Sequence, residues 1–180
     1  MKKLATALLV LFLLGCMCAF AGKTVMKTLY PQKYTQSVQT YSALYSVDET
    51  LVFAVIRTES SFDPDATSAV GAKGLMQIMP ETLDWLCYRM GEDVPFDALS
   101  EPDTSIRFGA YFLHLLLDEF GDEHTALAAY HAGRGSVLQW LNDPVCSSDG
   151  KTLEQIPYPD TAHYVAKVER AKNVYQSLYG

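Results

Sequence analysis

From residue 34 to residue 179 apolar side chains recur at spacings of three and four, and no stretch alternates apolar with polar residues convincingly enough to read as a strand. A chain patterned this way folds as helices packed on helices, a mainly α class. The pattern predicts helices over residues 34–45, 48–60, 74–90, 103–120, 122–132, 135–142 and 160–179. Asp48 is placed to cap the second, Pro102-Asp103 opens the fourth, and Gly121, Gly133 and Gly135 punctuate the later ones. Residues 142–159, rich in Pro, Gly, Ser and Asp, form the longest irregular stretch and read as a loop of the kind that borders binding sites.

Ahead of this domain, residues 1–22 have the layout of an export signal: Lys2 and Lys3, an apolar run from Leu4 to Leu14, then the small residues Gly15, Ala19, Ala21 and Gly22. Three fates fit: cleavage after Ala21, lipidation at Cys16 because Leu13-Leu14-Gly15-Cys16 resembles a lipobox, or retention as a membrane anchor, since no charge falls between Lys3 and Lys23. Residues 23–33, polar and Tyr-rich, read as a tether, which leaves 34–180 as a single domain of ordinary size. The expected location is the cell envelope, outside the cytoplasm, and the expected state is monomeric.

A net charge of -7, with the basic residues scattered singly, argues against nucleic acid as a partner. It also provides no long-range attraction toward an anionic polymer, so binding to one would rest on short-range contacts in a groove. With Cys16 and Cys18 in the leader, Cys87 and Cys146 remain for the domain. In an oxidising compartment they either close a long loop as a disulfide or stay as two buried thiols. No Cys-x-x-Cys or His-x-x-x-His spacing suggests zinc, and neither a metal nor a cofactor is expected.

The helix over 48–60 holds the most informative anomaly. Side chains three and four apart share a face, which sets Val52, Val55, Ile56 and Glu59 along one side and Thr50, Phe53, Ala54 and Arg57 along the other. A carboxylate thus ends an apolar stripe. Desolvation and the negative end of the helix dipole both favour its protonated form, the state that a general acid needs near neutral pH. The competing reading is a frayed helix end with Glu59 in water. Downstream, Gly71 and Gly74 allow the backbone to approach a ligand closely. Gln77, an amide between Met76 and Ile78, is equipped to donate and accept together, as sugar hydroxyls and acetamides require. Asp63, Asp65 and Glu81 are the nearby acids, and each reads as turn or helix-start chemistry instead of a second catalytic carboxylate.

Four segments in order, Glu59-Ser60-Ser61-Phe62, Gly74-Leu75-Met76-Gln77-Ile78-Met79-Pro80, Ala129-Tyr130-His131-Ala132-Gly133, and Ile156-Pro157-Tyr158 followed by His163-Tyr164-Val165, resemble the motifs of the soluble lytic transglycosylase family. The resemblance covers the chain from about Tyr34 to its end. It implies the helical, lysozyme-like fold with a substrate groove that this family shares with goose-type lysozyme. It further implies Glu59 as the single catalytic acid and base, Ser68, Gln77 and Met79 along the saccharide groove, and Tyr130 and Tyr164 around the scissile bond, with His131 counted among the substrate-binding residues. The implied partner is the glycan strand of peptidoglycan, cut between N-acetylmuramic acid and N-acetylglucosamine without water, leaving a 1,6-anhydro ring.

The chain departs from the family pattern at named places. His131 stands where Asn is usual, exchanging one of two simultaneous amide hydrogen bonds for a ring expected to titrate near pH 6 to 7. Asp160 replaces a Glu, Ala162 a basic residue and Ser105 an Asn. Two other functions fit the same residues: a hydrolytic muramidase on this fold, and a non-catalytic wall-binding protein.

Overall fold

The computed structural model describes Gly15, Met17 and residues 20–180. Cys16 and most of the export segment lie outside the described residues. Seven helices carry the domain: α1 (Thr35–Tyr45), α2 (Glu49–Glu59), α3 (Pro80–Met90), α4 (Pro102–Phe120), α5 (Glu123–Ala132), α6 (Arg134–Leu141) and α7 (Pro159–Tyr179), with a short 3-10 turn at Phe96–Ser100. The described residues contain no strand, only isolated bridges pairing Thr67 with Lys73 and Lys73 with Ile78.

Most helix starts follow local chemistry. The Asp48 carboxylate accepts from the Thr50 backbone N–H at 2.8 Å, and Asp122 does the same for Thr125 at 2.8 Å. Pro80, Pro102 and Pro159 open α3, α4 and α7, where a missing N–H costs no helix bond. Gly91 and Gly121 end α3 and α4 in the left-handed region. The helix expected from residue 74 begins only at Pro80. Gly74 and Gln77 take positive φ of 82° and 49°, and Met79, preceding a proline, is extended at ψ 153°. Residues 74–79 are therefore a loop.

Helix α2 is the centre of the domain. Leu51, Val52, Phe53, Ala54, Val55 and Ile56 are all at most 1% exposed, so the two-faced reading gives way to a helix buried on every side. Phe53 and Ala54, assigned to the other face, pack as deeply as Val52 and Val55. The reason is that α2 is clasped by the long last helix α7 as well as by α1, and a helix apolar all round belongs inside. Each such large side chain contributes about 1.5–3 kcal/mol. Phe53 stacks on Tyr175 with centroids 5.5 Å apart.

The core falls into two apolar clusters. The larger surrounds α2, α5 and α7, and the smaller gathers Ile78, Leu83, Leu86, Leu99 and Phe108 between α3, the 3-10 turn and α4. Phe112 and Tyr130 touch both. Cys87 belongs to the smaller cluster and Cys146 to the larger. Both are buried free thiols, so the disulfide considered for them is not formed.

The stretch expected to be a tether is helical over residues 20–29 and then fastened to the domain. Tyr175 donates its hydroxyl to the Pro31 carbonyl at 3.0 Å, Tyr179 to Tyr30 at 2.8 Å, and Arg57 Nε to Leu29 at 3.0 Å. The Arg57 guanidinium lies 3.9 Å from the Tyr30 ring centroid. No helix among the described residues is long and apolar enough to cross a membrane.

Candidate active site

Helix α2 stops at Glu59 because the chain turns sharply there. Ser60 Oγ donates to the Leu75 carbonyl at 2.9 Å, and Ser61 and Phe62 take consecutive positive φ of 53° and 66°. Two L-residues in the left-handed region cost free energy and persist only where the surroundings hold them. Here the anchor is Phe62, only 3% exposed in the main cluster. The chain after it folds back as a compact loop. Lys73 and Ile78 exchange backbone hydrogen bonds of 3.0 and 3.1 Å, and Ser68 N–H donates to Ala72 at 2.9 Å.

Gly74 makes this loop fit. A Cβ there would lie 2.0 Å from the Leu99 carbonyl oxygen and 2.8 Å from Ser105 Oγ. Ser105, fully buried on α4, accepts from the Met76 N–H at 3.2 Å. Met76 rests on Gly109, where an added Cβ would meet its sulfur at 2.2 Å. Gln77 and Ser68 are tied into the same loop. The Gln77 amide donates to the carbonyls of Ala66 and Gly74 at 3.0 and 2.9 Å, and Ser68 Oγ accepts from the Ala72 N–H at 2.9 Å. Gln77 therefore offers a ligand only its carbonyl oxygen, not the paired donor and acceptor that its position suggested, while the Ser68 hydroxyl keeps its donor. Met79, half-buried, immediately precedes α3.

Helices α5 and α7 supply the opposite side. Tyr130, in the last turn of α5, donates its hydroxyl to the Met76 carbonyl at 2.7 Å and packs 5.0 Å from Phe112. His131 stacks on Tyr164 with centroids 4.5 Å apart, and its Nδ1 lies 3.1 Å from Thr161 Oγ1. Thr161 and Tyr164 are buried in the first two turns of α7. Desolvation lowers the His131 pKa from its usual value, and nearby Asp160 only partly opposes this. The ring is thus neutral at neutral pH, and the titration expected at pH 6 to 7 moves lower.

Glu59 lies between these sides. Burial raises its pKa to about 7, against the opposing pull of the Tyr164 hydroxyl and the Lys167 charge. The residue as a whole retains partial exposure, so the carboxyl is desolvated without being sealed off. Tyr130 and Tyr164 feel its charge in turn. Both hydroxyls are pushed well above their ordinary pKa, first by burial and then by Glu59. The Tyr164 hydroxyl is buried with no well-formed hydrogen bond, although it is close enough to Glu59 to favour the carboxylate. Contacts of this kind often tighten only when substrate arrives.

Lys167 was not singled out by sequence reasoning. Its Nζ donates to the Thr58 carbonyl at 3.3 Å, at the open end of α2. The available signal was its position one helical turn beyond Tyr164 on α7. Among the described residues no group of three or more His, Cys, Asp or Glu is arranged to hold a metal ion.

A carboxyl that burial keeps protonated, with the Tyr130 and Tyr164 hydroxyls near enough to feel its charge, stands at the end of the central helix of an all-helical domain. The transglycosylase SLT domain model matches residues 36–149, and the chain belongs to that family. It is 31% identical over 173 residues to the soluble lytic murein transglycosylase of Salmonella typhimurium, covering 93% of this chain and 27% of that protein. It is 43% identical over 124 residues to the transglycosylase of Enterobacteria phage PRD1, covering 69% of this chain and 43% of that one. The crystal structure of the 70 kDa soluble lytic transglycosylase from Escherichia coli superposes with a TM-score of 0.75 at 28% identity, covering 86% of this chain and 26% of that one. The chain spans about a quarter of the length of the first curated relatives it matches, and its fold is the lysozyme-like fold of these transglycosylases.

Proposed function

We propose that this chain is a peptidoglycan lytic transglycosylase, a lyase that cuts the β-1,4 bond between N-acetylmuramic acid and N-acetylglucosamine, with Glu59 acting first as acid and then as base. The observation that carries this reading is the state of Glu59: desolvated, with a pKa of about 7, and acted on by Tyr164 and Lys167 but by no second carboxylate. An acid in this state is protonated for a large fraction of molecules at neutral pH, as donation to a glycosidic oxygen requires.

An oxocarbenium-like transition state ordinarily calls for a second carboxylate as nucleophile or base. With only one, the substrate must provide the rest. Glu59 gives its proton to the leaving oxygen as the C1–O4 bond breaks, and the N-acetyl carbonyl of the muramic acid stabilises the anomeric carbon. The Glu59 carboxylate then takes the proton of the C6 hydroxyl as that oxygen bonds to C1, closing the 1,6-anhydro ring and restoring the acid. The nucleophile is tethered, which gives it a high effective molarity over bulk water. Tyr130 and Tyr164 are assigned to hold charge and hydroxyls around the scissile bond, with His131 positioning Tyr164 by stacking. Ser68, Gln77 and Met79 are assigned to the saccharide groove. The proposal includes delivery to the cell envelope by residues 1–22.

Mass spectrometry of the products from purified sacculi tests the reaction. Anhydro-ended muropeptides, one water lighter than hydrolysis products, are expected. A preponderance of hydrated reducing ends would replace the lyase reading with a hydrolytic muramidase on the same fold, and no products at all would point to a wall-binding protein.

A further inference from the structure

Both sides of the Glu59 site continue past it. On one, the chain runs from Gln77 and Met79 into the first turns of α3. On the other, it runs from Tyr130 and His131 across Gly133 into α6. Between these continuations lies a cleft of about 220 Å³ lined by Glu81, Thr82, Trp85, Phe112, Gly133 and Arg134. Its floor connects to the site through aromatic rings. Tyr130, which senses the Glu59 charge, packs 5.0 Å from Phe112, and Phe112 meets Trp85 edge-on at 6.2 Å and 77°.

Resting on the transglycosylase reading above, we propose that this cleft is a further saccharide subsite of the same groove. Trp85 stacks there on the apolar face of an N-acetylated sugar ring, with Arg134 and Thr82 donating to its polar substituents. Trp85 is 38% exposed although large and apolar, and with Phe112 it gives the cleft an aromatic lining on which the apolar face of a sugar can rest. The volume is below the roughly 300 Å³ at which drug-sized pockets begin, which suits a single sugar ring, and the lining has the usual makeup of such sites, an apolar base with a few placed polar groups. Arg134 is preorganised: its Nε and Nη2 are held on Glu119 at 2.7 and 2.6 Å, so the guanidinium is fixed and its Nη1 donors make no hydrogen bond among the described residues. With Arg134 paired to Glu119, Glu81 is left as the carboxylate in the lining, an acceptor for sugar hydroxyl and acetamide N–H donors that disfavours an anionic ligand.

Intrinsic fluorescence gives a direct test, because the other tryptophan, Trp140, is only 8% exposed and packs on Tyr158. Oligomers of N-acetylglucosamine from two to six units, titrated into the full chain carrying Glu59→Gln, are expected to change the emission of Trp85. Measured by calorimetry, which needs no tryptophan reporter, the expected affinity gain with length is lost in Glu59→Gln/Trp85→Ala. On the active chain, Trp85→Ala is expected to raise KM for long glycan strands roughly five- to tenfold with kcat unchanged. Arg134→Gln, with circular dichroism to verify the fold, is expected to give a smaller rise. Length-dependent binding and KM that are the same with and without Trp85 would overturn the subsite while leaving the catalytic assignment standing. Undiminished cleavage by Glu59→Gln would overturn the catalytic assignment, and the fluorescence titration would still decide the cleft.

Discussion

The two ends of helix α2 carry two carboxylates under the same influences with opposite results. At its start, burial pushes the Asp48 pKa up, but hydrogen bonds from the Thr50 hydroxyl and backbone, together with Lys172, bring it below the usual value. At its finish, burial pushes Glu59 up and only Tyr164 and Lys167 oppose, so the value settles at about 7. Both lysines come from α7, one near each end. What separates the two acids is the backbone. Asp48 faces open N–H groups that welcome a charge, whereas Glu59 sits where the helix presents carbonyls. One helix thus holds a structural carboxylate ionised and keeps the other's proton available for chemistry.

The sharpest way to break this contrast is Glu59→Gln, which removes the proton and keeps the shape. Cleavage of sacculi is expected to fall by on the order of 10³-fold or more, with an unchanged far-ultraviolet spectrum. Comparable activity in that variant would leave the contrast without functional meaning. The same variant has a second expected effect. A carboxyl whose pKa is raised from 4.5 to about 7 supports folding fully below pH 4.5 and loses that support as pH rises through 7. Replacing it with Gln should therefore raise unfolding free energy at pH 8 by about 2 kcal/mol, after allowance for solvent screening, and leave it little changed relative to wild type at pH 4. Urea melts at the two pH values measure this.

Asp48→Ala attacks the other end. It is expected to cost about 1 kcal/mol at neutral pH, with cleavage per folded molecule unaffected. Because the Asp48 pKa is lowered in the folded state, that cost should fade as pH drops through it. Urea melts showing equal destabilisation at pH 3 and pH 7 would contradict the charge-based account. The smallest change expected is in Lys167→Met. Losing a cation that favours the Glu59 carboxylate should move the alkaline limb of the pH–rate profile upward, with roughly a two- to threefold gain in rate at pH 8. A limb that stays in place would show that Lys167 serves only to hold Thr58.

Much of this contrast was legible in the chain. Asp48 before an apolar run reads as a cap, and Glu59 at the end of one reads as a carboxyl out of water, since both inferences need only local spacing. The features that escaped depend on distant partners. Periodicity sets Phe53 and Ala54 on a second face because it cannot reveal that α7 returns to cover it. Residues 74–79 look helical by their apolar content, yet Gly74 must press against Leu99 and Gln77 must turn its amide inward, contacts set by residues far along the chain. Cys87 and Cys146 have nothing in their spacing to show that they belong to separate clusters. The order of the motifs pointed to the family, but the hydrogen bonds that occupy Gln77 could not be read from them.

The clasp of the last helix on the leading segment bears on how the molecule assembles. Tyr179 reaches Tyr30 across 149 positions and Tyr175 reaches Pro31 across 144, near the greatest separations the described chain allows. Ordering so long an intervening stretch for two hydroxyl bonds is worthwhile only after the interior, Tyr175 included, has formed. The half-buried Tyr179 bond should therefore close late in folding and open early under stress, making the seam between the leading segment and the last turn of α7 the place where hydrogen exchange begins, while the buried Tyr175 holds with the core.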